Sequence, residues 1–365
     1  MVGAFRSYPV FSSIARVSHP SSGRRRITMH ARARLIVDLI RSFPRAEHKT
    51  AKLLAYAAYY LARWIQLPLL EHWRARHPMH AFILVTTRCN MRCEDCCFID
   101  VINRKGVGKL DCDLDQIKRN YARGIFKSVS RVVLFGGEPT LCRSFADIIR
   151  FFRSKGIVVC LTSNALRVDA SALEMMRESG LNMLNLTIYE ASEHGKKYNL
   201  GKLEEAFRYA RQGAFSLDRM GLCYHSVEIE GYRRAYEFSL KVGARHLLFN
   251  RLFHTAENPR GGQGNHEEPG FARQYLELCR EIAKDGHVRL YHPAASENSA
   301  ACPYTTNAIV MSPTDSLSPC CLVTPSERFG TLDRPDPLLS FKSRFIRGDV
   351  PSMCRECHML GTRHL

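Results

Sequence analysis

Short apolar runs alternate with amphipathic segments between residue 80 and about residue 250. The apolar runs predict six strands, at 81–87, 131–135, 157–162, 182–188, 220–229 and 245–250. Apolar residues at helical spacing predict five helices between them, at 113–123, 144–155, 170–179, 202–213 and 232–242. Such alternation is typical of an α/β fold with a parallel sheet and helices outside it. In barrels of this kind the chemistry gathers at the carboxyl ends of the strands.

Another helix is predicted ahead of this region, over Lys49 to Leu67. Its apolar residues recur at helical spacing and are Leu53, Leu54, Ala57, Tyr60, Leu61, Trp64 and Ile65. Lys52 and Arg63 bracket only about ten apolar residues, fewer than the ~20 that a membrane span needs. Two interpretations remain: a helix packed across the barrel, or a surface helix that makes peripheral contact with a membrane.

Three cysteines follow the first predicted strand at C-x3-C-x2-C spacing, namely Cys89, Cys93 and Cys96. Thiolates hold iron–sulfur clusters, and three of them leave the fourth iron of a four-iron cubane open to another ligand. The alternative is that these are core or redox cysteines. The second predicted strand ends in Gly136, Gly137, Glu138 and Pro139, where glycines allow close approach of the backbone.

The cysteine triplet and the Gly-Gly-Glu-Pro run together resemble the radical S-adenosylmethionine (SAM) superfamily over roughly residues 80 to 360. The resemblance implies a partial (β/α)6 TIM-like barrel, open on one side. It implies that the three cysteines hold a [4Fe-4S] cluster whose open iron binds SAM. It also implies that SAM contacts residues at the ends of the second, third and fourth strands, which are Gly136, Gly137, Glu138, Pro139, Ser163, Asn164 and Thr187.

The chemistry that the resemblance implies is reductive cleavage of SAM to a 5′-deoxyadenosyl radical, which abstracts hydrogen from a substrate. A cation at Lys196 or Lys197 is expected near the SAM carboxylate, and Tyr189 and Arg251 are candidate substrate contacts. Relatives often have an aromatic residue where Asp95 stands, so adenine packing is expected from elsewhere, with Phe98 as the candidate. No residue is identified as acting directly on the substrate.

A second set of cysteines follows residue 290, where the alternation of strands and helices is expected to stop. Cys302, Cys320, Cys354 and Cys357 can complete the coordination of one cluster, and zinc is the competing metal. The order of these cysteines around a short hairpin and a Gly330-x-Leu332 turn resembles the SPASM/Twitch extension of radical SAM enzymes. The resemblance implies the shorter Twitch form with an auxiliary [4Fe-4S] cluster, in which Cys321 is an alternative to Cys320.

Three domains are therefore predicted: a basic, largely helical extension at 1–78, the barrel at 79–290 and an auxiliary-cluster domain at 291–365. Of the net charge of +18, residues 1–80 carry +11. Residues 1–37 contain no Asp or Glu, which fits an organellar transit peptide, a true start at Met29 or a disordered basic arm. The 14 cysteines favour a reducing compartment, and a cytoplasmic location is expected.

The first function hypothesis is modification of a peptide or protein side chain, because an open barrel admits a chain. The second is dehydrogenation or rearrangement of a small molecule, such as a sugar or cyclitol. The third is a non-catalytic iron–sulfur sensing protein, against which the intact Gly-Gly-Glu-Pro run argues. The expected partners are the peptide or small-molecule substrate and a one-electron donor such as flavodoxin or ferredoxin, and no nucleic acid.

Overall fold

The computed structural model describes residues 40–61, 68–93, 96, 110–189, 199–226, 228–251, 270–295, 302, 304–305, 307–355, 357 and 362–364. A single large sheet of nine strands runs through most of this region. Neighbouring strands are parallel, except for one antiparallel pair at an edge of the sheet.

The strands of the large sheet are β1 His80–Leu84, β2 Arg131–Phe135, β3 Val158–Ser163, β4 Met183–Thr187, β5 Met220–Ser226, β6 His246–Arg251, β7 Arg289–Tyr291, β9 Ala308–Met311 and β10 Leu317–Ser318. A two-stranded sheet pairs β8, Pro293–Ala295, with β11, Thr362–His364. The helices are α1 Lys49–Leu61, α2 Pro68–Arg76, α3 Leu114–Ala122, α4 Phe145–Ser154, α5 Ala170–Glu178, α6 Leu200–Arg211, α7 Ile229–Lys241, α8 Phe271–Asp285, α9 Asp336–Ile346 and α10 Ser352–Arg355.

The six predicted strands and five predicted helices all form, and the prediction of an α/β fold is confirmed. The central strands β1 to β6 lie in sequential order, as in a partial TIM barrel. The core between sheet and helices consists of fully buried apolar side chains, such as Ile83, Leu134, Leu184, Phe152 and Phe207. Their burial drives the packing of the helices on the sheet.

Helix boundaries follow local capping signals. Asp113 accepts a hydrogen bond from the Gln116 amide at 2.5 Å, and Asp169 accepts one from the Ala172 amide at 2.8 Å. These bonds satisfy amides that have no partner within the helix. The fifth strand ends earlier than predicted, since Ile229 already begins α7.

The alternation of strands and helices continues beyond the last predicted strand, up to about residue 290, where it was expected to stop. Helix α8 and strand β7 add a further unit to the sheet beside β6. Strand β9 then returns to the other side of the sheet and pairs in parallel with β1. The polypeptide after residue 300 is therefore joined to the barrel by backbone hydrogen bonds, although the predicted boundaries of three domains remain a prediction.

Helix α1 begins at Lys49 as predicted and is described up to Leu61, and residues 62–67 lie outside the described part. Its packed face differs from the apolar face in the sequence: Leu53 and Leu54 are about half exposed, whereas Lys52, Ala55 and Ala58 are buried. Alanine lets the helix approach closely, and the Lys52 ammonium donates to the Lys155 carbonyl oxygen at 3.4 Å. Tyr60, Trp64 and Ile65 have no described side chains.

Candidate functional site

The loop that carries the cysteine triplet is closed at its base by hydrogen bonds. The Thr87 amide donates to the Leu110 carbonyl oxygen at 2.9 Å, and the Leu110 amide donates to Thr87 Oγ1 at 3.0 Å. Thr86 Oγ1 donates to Asp111 Oδ1 at 2.5 Å, and the Arg88 guanidinium forms an ion pair with the same carboxylate. Sequence reasoning missed this clamp because Leu110 and Asp111 lie outside any motif.

The first and third cysteines pack on the carboxyl ends of the first two strands. Cys89 and Cys96 contact a small apolar cluster that includes Leu84 and Phe135. The Cys96 amide donates to the Cys93 carbonyl oxygen at 3.3 Å, which folds the chain back on itself. Burial raises the pKa of the Cys89 thiol. Coordination of a metal lowers the pKa of a thiol and would oppose this shift.

The Gly-Gly-Glu-Pro run lies directly against the backbone of the cysteine loop. The Gly137 amide donates to the Thr86 carbonyl oxygen at 2.9 Å, and the Glu138 amide donates to the Arg88 carbonyl oxygen at 2.7 Å. A Cβ atom on Gly136, whose φ is +153°, would lie 2.7 Å from the Thr86 carbonyl oxygen, and one on Gly137 would collide with that of Arg88. Both glycines are therefore required for the contact between the two motifs.

The Glu138 side chain is almost completely buried and joins the ends of β2 and β3. Its Oε1 accepts hydrogen bonds from the Thr140 amide, Thr140 Oγ1 and Ser163 Oγ at 3.1, 2.7 and 2.8 Å. Its Oε2 accepts from the Asn164 amide at 2.8 Å. Burial raises the pKa of this carboxyl, and the four donors oppose that shift.

A row of asparagines continues from this carboxylate. Asn164 Nδ2 donates to Asn90 Oδ1 in the cysteine loop at 2.7 Å. Asn199, at the start of α6, donates from Nδ2 to the carbonyl oxygens of Asn164 and Thr187, both at 2.7 Å. Its Oδ1 accepts from the Tyr189 amide at 2.9 Å. The structure thus connects Ser163 and Asn164 through Glu138, and Asn164 and Thr187 through Asn199. Asn90 and Asn199 carry no sequence signal.

Polar side chains also meet where β5 and β6 end. Asn250 Nδ2 lies 3.2 Å from His225 Nε2 and donates to Cys223 Sγ at 3.4 Å. Burial raises the pKa of the Cys223 thiol to about 12. These residues lie at the same edge of the sheet as the cysteine loop, because the strands are parallel.

The second set of cysteines lines one cavity beside β9 and β10. Its empty volume is about 390 Å³, including space open to solvent, and the thiols around it are those of Cys302, Cys320, Cys354 and Cys357. Cys321 does not line the cavity. Burial and the neighbouring Cys321 and Cys302 thiolates raise the pKa of Cys320 well above its ordinary value.

The donor set of this cavity consists of four cysteine thiols, which suit an iron–sulfur cluster and are also accepted by a zinc ion. In the part of the chain that the structure describes, no three Cys, His, Asp or Glu side chains converge on a single metal position. A zinc ion would draw four sulfurs to about 3.8 Å from one another, since each Zn–S bond is about 2.3 Å. A cubane binds each thiolate through a different iron and spaces the thiolates more widely.

Aromatic rings connect the two groups of cysteines. Phe135, which packs with Cys89 and Cys96, lies edge-to-face with Phe82 at 6.3 Å between ring centroids. Phe82 lies edge-to-face with Tyr304 at 5.7 Å, and Tyr304 lines the cavity of the second set. Burial and the Cys321 and Cys302 thiolates raise the pKa of Tyr304.

Other predicted residues are not placed. Phe98, Lys196 and Lys197 lie outside the described residues, and nothing is described for the Arg251 side chain.

Every helix in the described part of the chain is too short or too polar to cross a membrane.

Residues 83–224 match the family model of the Radical SAM superfamily. The match identifies a Radical SAM domain within the chain. Over these residues it confirms the family resemblance seen in the sequence.

Three curated relatives match parts of the chain. GTP 3′,8-cyclase of Cronobacter sakazakii is 33% identical over 117 residues, which are 31% of this chain and 35% of that protein. A probable GTP 3′,8-cyclase of Metallosphaera sedula is 27% identical over 162 residues, covering 43% and 49%. Fe-coproporphyrin III synthase of Methanosarcina barkeri is 23% identical over 241 residues, covering 60% and 55%. The chain thus spans between about a third and just over half of these relatives.

Among solved structures, Streptococcus suis SuiB bound to S-adenosylmethionine superposes with a TM-score of 0.56 at 13% identity. The match covers 73% of this chain and 68% of SuiB. SuiB bound to the precursor peptide SuiA gives the same TM-score and covers 66% of that chain. At this identity the likeness concerns the fold.

Proposed function

We propose that this protein is a radical SAM enzyme whose SAM-binding cluster is held by Cys89, Cys93 and Cys96. One observation carries the proposal: the Gly-Gly-Glu-Pro run and the cysteine loop are bonded to each other, through the Gly137 and Glu138 amides. Two motifs 40 residues apart in the chain form a single surface, as joint binding of a cluster and SAM requires. The bound cofactors supply a 5′-deoxyadenosyl radical that abstracts hydrogen from the substrate.

The protein's own residues position these groups. Glu138 fixes the ends of β2 and β3, because its two oxygens accept from Thr140, Ser163 and Asn164. The hydrogen bonds of Asn164 and Asn199 extend this network to the end of β4. In this proposal the hydrogen bond between Glu138 and Ser163 shapes the SAM site without contact to SAM. SAM is faced by backbone groups of Gly136 to Pro139 and by the region of Asn164 and Thr187. Packing of Leu84 and Phe135 keeps water from the thiolates.

The C-terminal residues are proposed to hold an auxiliary [4Fe-4S] cluster on Cys302, Cys320, Cys354 and Cys357. The shared cavity supports this set, and the position of Cys321 outside it supports Cys320 as the ligand. Lys342 is fully buried nearby, where it donates to the Ala308 carbonyl oxygen at 2.7 Å. Burial lowers the pKa of this lysine to about 7, and the Cys302 thiolate opposes the shift.

We propose a peptide or protein side chain as the substrate. The sheet is open between β7 and β10 in the described residues, which supports access for an extended chain. Small-molecule oxidation or rearrangement is the second candidate, and it is favoured by the names of the two GTP 3′,8-cyclase relatives. A one-electron donor of the flavodoxin or ferredoxin type completes the proposed system.

The test is formation of 5′-deoxyadenosine from SAM and dithionite by anaerobically reconstituted protein. The proposal requires product from the wild type and none from a variant in which Cys89, Cys93 and Cys96 are all alanine. Absence of product from wild-type protein with a full iron content would refute the proposed activity. A short precursor gene beside this one would favour the peptide substrate, and sugar or cyclitol genes would favour the second candidate.

A further inference from the structure

A second cavity lies at the amino ends of β4 and β5, the opposite edge of the sheet from the cysteine loop. Its empty volume is about 560 Å³, including space open to solvent. The residues that line it are Arg41, Ser42, Arg45, Arg153, Asn182 and Arg219. Four arginines therefore line one cavity, and no carboxylate is among its lining residues.

Two acidic side chains that lie close to these arginines in the sequence form ion pairs with other residues. Glu47, close to Arg45, forms an ion pair with Lys155 at 2.7 Å. Asp218, next to Arg219, forms an ion pair with Arg245. The residues that line the cavity thus include four arginines and no carboxylate.

The cavity is built by firm packing between the segment before α1 and the barrel. Arg153 Nη1 donates to Ser42 Oγ at 3.0 Å and to the Ile157 carbonyl oxygen at 2.9 Å. The turn that follows Ser42 lies on Gly156, whose φ is +66°. A Cβ atom there would lie 2.6 Å from both the Ser42 carbonyl oxygen and the Ala46 backbone. Both walls of the cavity are therefore held in place before any ligand binds.

Four guanidinium groups around one space repel each other, and a dianion between them removes that repulsion. The planar guanidinium group also matches the oxygens of a phosphate, to which it donates two parallel hydrogen bonds. We propose that this cavity binds a phosphate monoester or diphosphate group, carried either by a free small molecule or by a lipid head group. The site is remote from the proposed SAM site and does not depend on the proposed activity.

The test compares ligand binding by wild-type protein and by a variant with Arg41→Gln and Arg45→Gln. Both arginines are exposed, so their replacement leaves the core intact. The control variant carries Arg273→Gln and Arg280→Gln, two exposed residues of α8, and loses the same charge. Titration calorimetry with inorganic pyrophosphate is expected to show affinity weaker by about tenfold or more in the cavity variant, and unchanged affinity in the control.

Co-sedimentation with phosphatidylcholine vesicles, with and without phosphatidic acid, distinguishes the two sources of the phosphate. Pyrophosphate binding that the cavity variant loses supports a free ligand. Binding only to vesicles with phosphatidic acid, lost in the same variant, supports a lipid head group. Binding to neither probe, or an equal loss in the control variant, overturns the proposal, because general positive charge then explains any attraction.

Discussion

Glu138 at the end of β2 accepts a hydrogen bond from Ser163 at the end of β3, with 2.8 Å between the two oxygens. Through this bond the acidic residue of the Gly-Gly-Glu-Pro run joins the two strand ends at the proposed site. Replacement of Glu138 by Gln leaves a single side-chain oxygen to accept hydrogen bonds from four donors.

We therefore expect Glu138→Gln to lower the free energy of unfolding by about 1–3 kcal/mol, because a buried donor loses its acceptor. Urea denaturation followed by circular dichroism measures the change. Glu178→Gln, at an exposed position at the end of α5, is the matched control and is expected to have almost no effect. Equal stability of the two variants would contradict the role given to Glu138.

Gly137→Ala is expected to separate the Gly-Gly-Glu-Pro run from the cysteine loop, since the added Cβ collides with the Arg88 carbonyl oxygen. Iron analysis of anaerobically purified protein should show about four irons fewer per chain. Gly201→Ala in α6 is the control, because nothing lies within 4 Å of its added Cβ. Retention of all iron by the Gly137 variant would show that the contact between the motifs is dispensable.

The cysteine assignments predict about eight irons per chain in the wild type. Replacement of Cys89, Cys93 and Cys96 by alanine should leave about four, and so should Cys320→Ala. Cys321→Ala should keep about eight, because Cys321 lies outside the lining of the cavity. Cys279→Ala, on the buried face of α8, controls for loss of a buried thiol. Loss of iron from the Cys321 variant but not from the Cys320 variant would indicate that Cys321 is the cluster ligand in place of Cys320.

Below pH 7, where the Lys342 ammonium is protonated, Lys342→Met is expected to lower the reduction potential of the auxiliary cluster, since a buried cation favours the more negative, reduced form. The expected shift is on the order of tens of millivolts. A redox titration followed by electron paramagnetic resonance measures it. Lys118→Met, on the exposed face of α3, should leave the potential unchanged. An unchanged potential in the Lys342 variant, with full iron content, would argue against electrostatic tuning.

Lys52 gives a prediction about pH. Burial lowers its pKa from the ordinary 10.5 to about 8, so the unfolded chain binds more protons between these values. The free energy of unfolding of the wild type should therefore rise with pH across this interval, relative to Lys52→Met. At about 1.4 kcal/mol per pKa unit, the difference is at most about 3 kcal/mol. Parallel pH profiles for the two proteins would refute the assignment.

Much of the barrel could be predicted from the sequence, because buried parallel strands and amphipathic helices have distinct periodicities. The caps at Asp113 and Asp169 fixed two helix starts locally. The packed face of α1 could not be predicted from apolar periodicity. Its alanines and Lys52 lie on that face because the helix approaches the barrel closely there. Strand β7 was missed because only three residues form it.

The predicted site residues lie near one another, but their connections depend on residues without a pattern. Asn90 and Asn199 are isolated asparagines, and an asparagine at such a position is equally often a turn or cap residue. Their partners are carbonyl groups and side chains that only the fold brings close. The anion-binding site proposed at the opposite edge of the sheet likewise joins arginines from three separate segments.

The parallel pairing of β9 with β1 ties the integrity of the barrel to a late part of the chain. A protein truncated before Ala308 would leave the N–H and C=O groups on that side of β1 without strand partners, and such an edge promotes association between copies. Substitution of the auxiliary cysteines and deletion of the segment that bears them should therefore have different effects. Substitution should yield a monodisperse protein with less iron, and deletion should yield a protein that tends to aggregate.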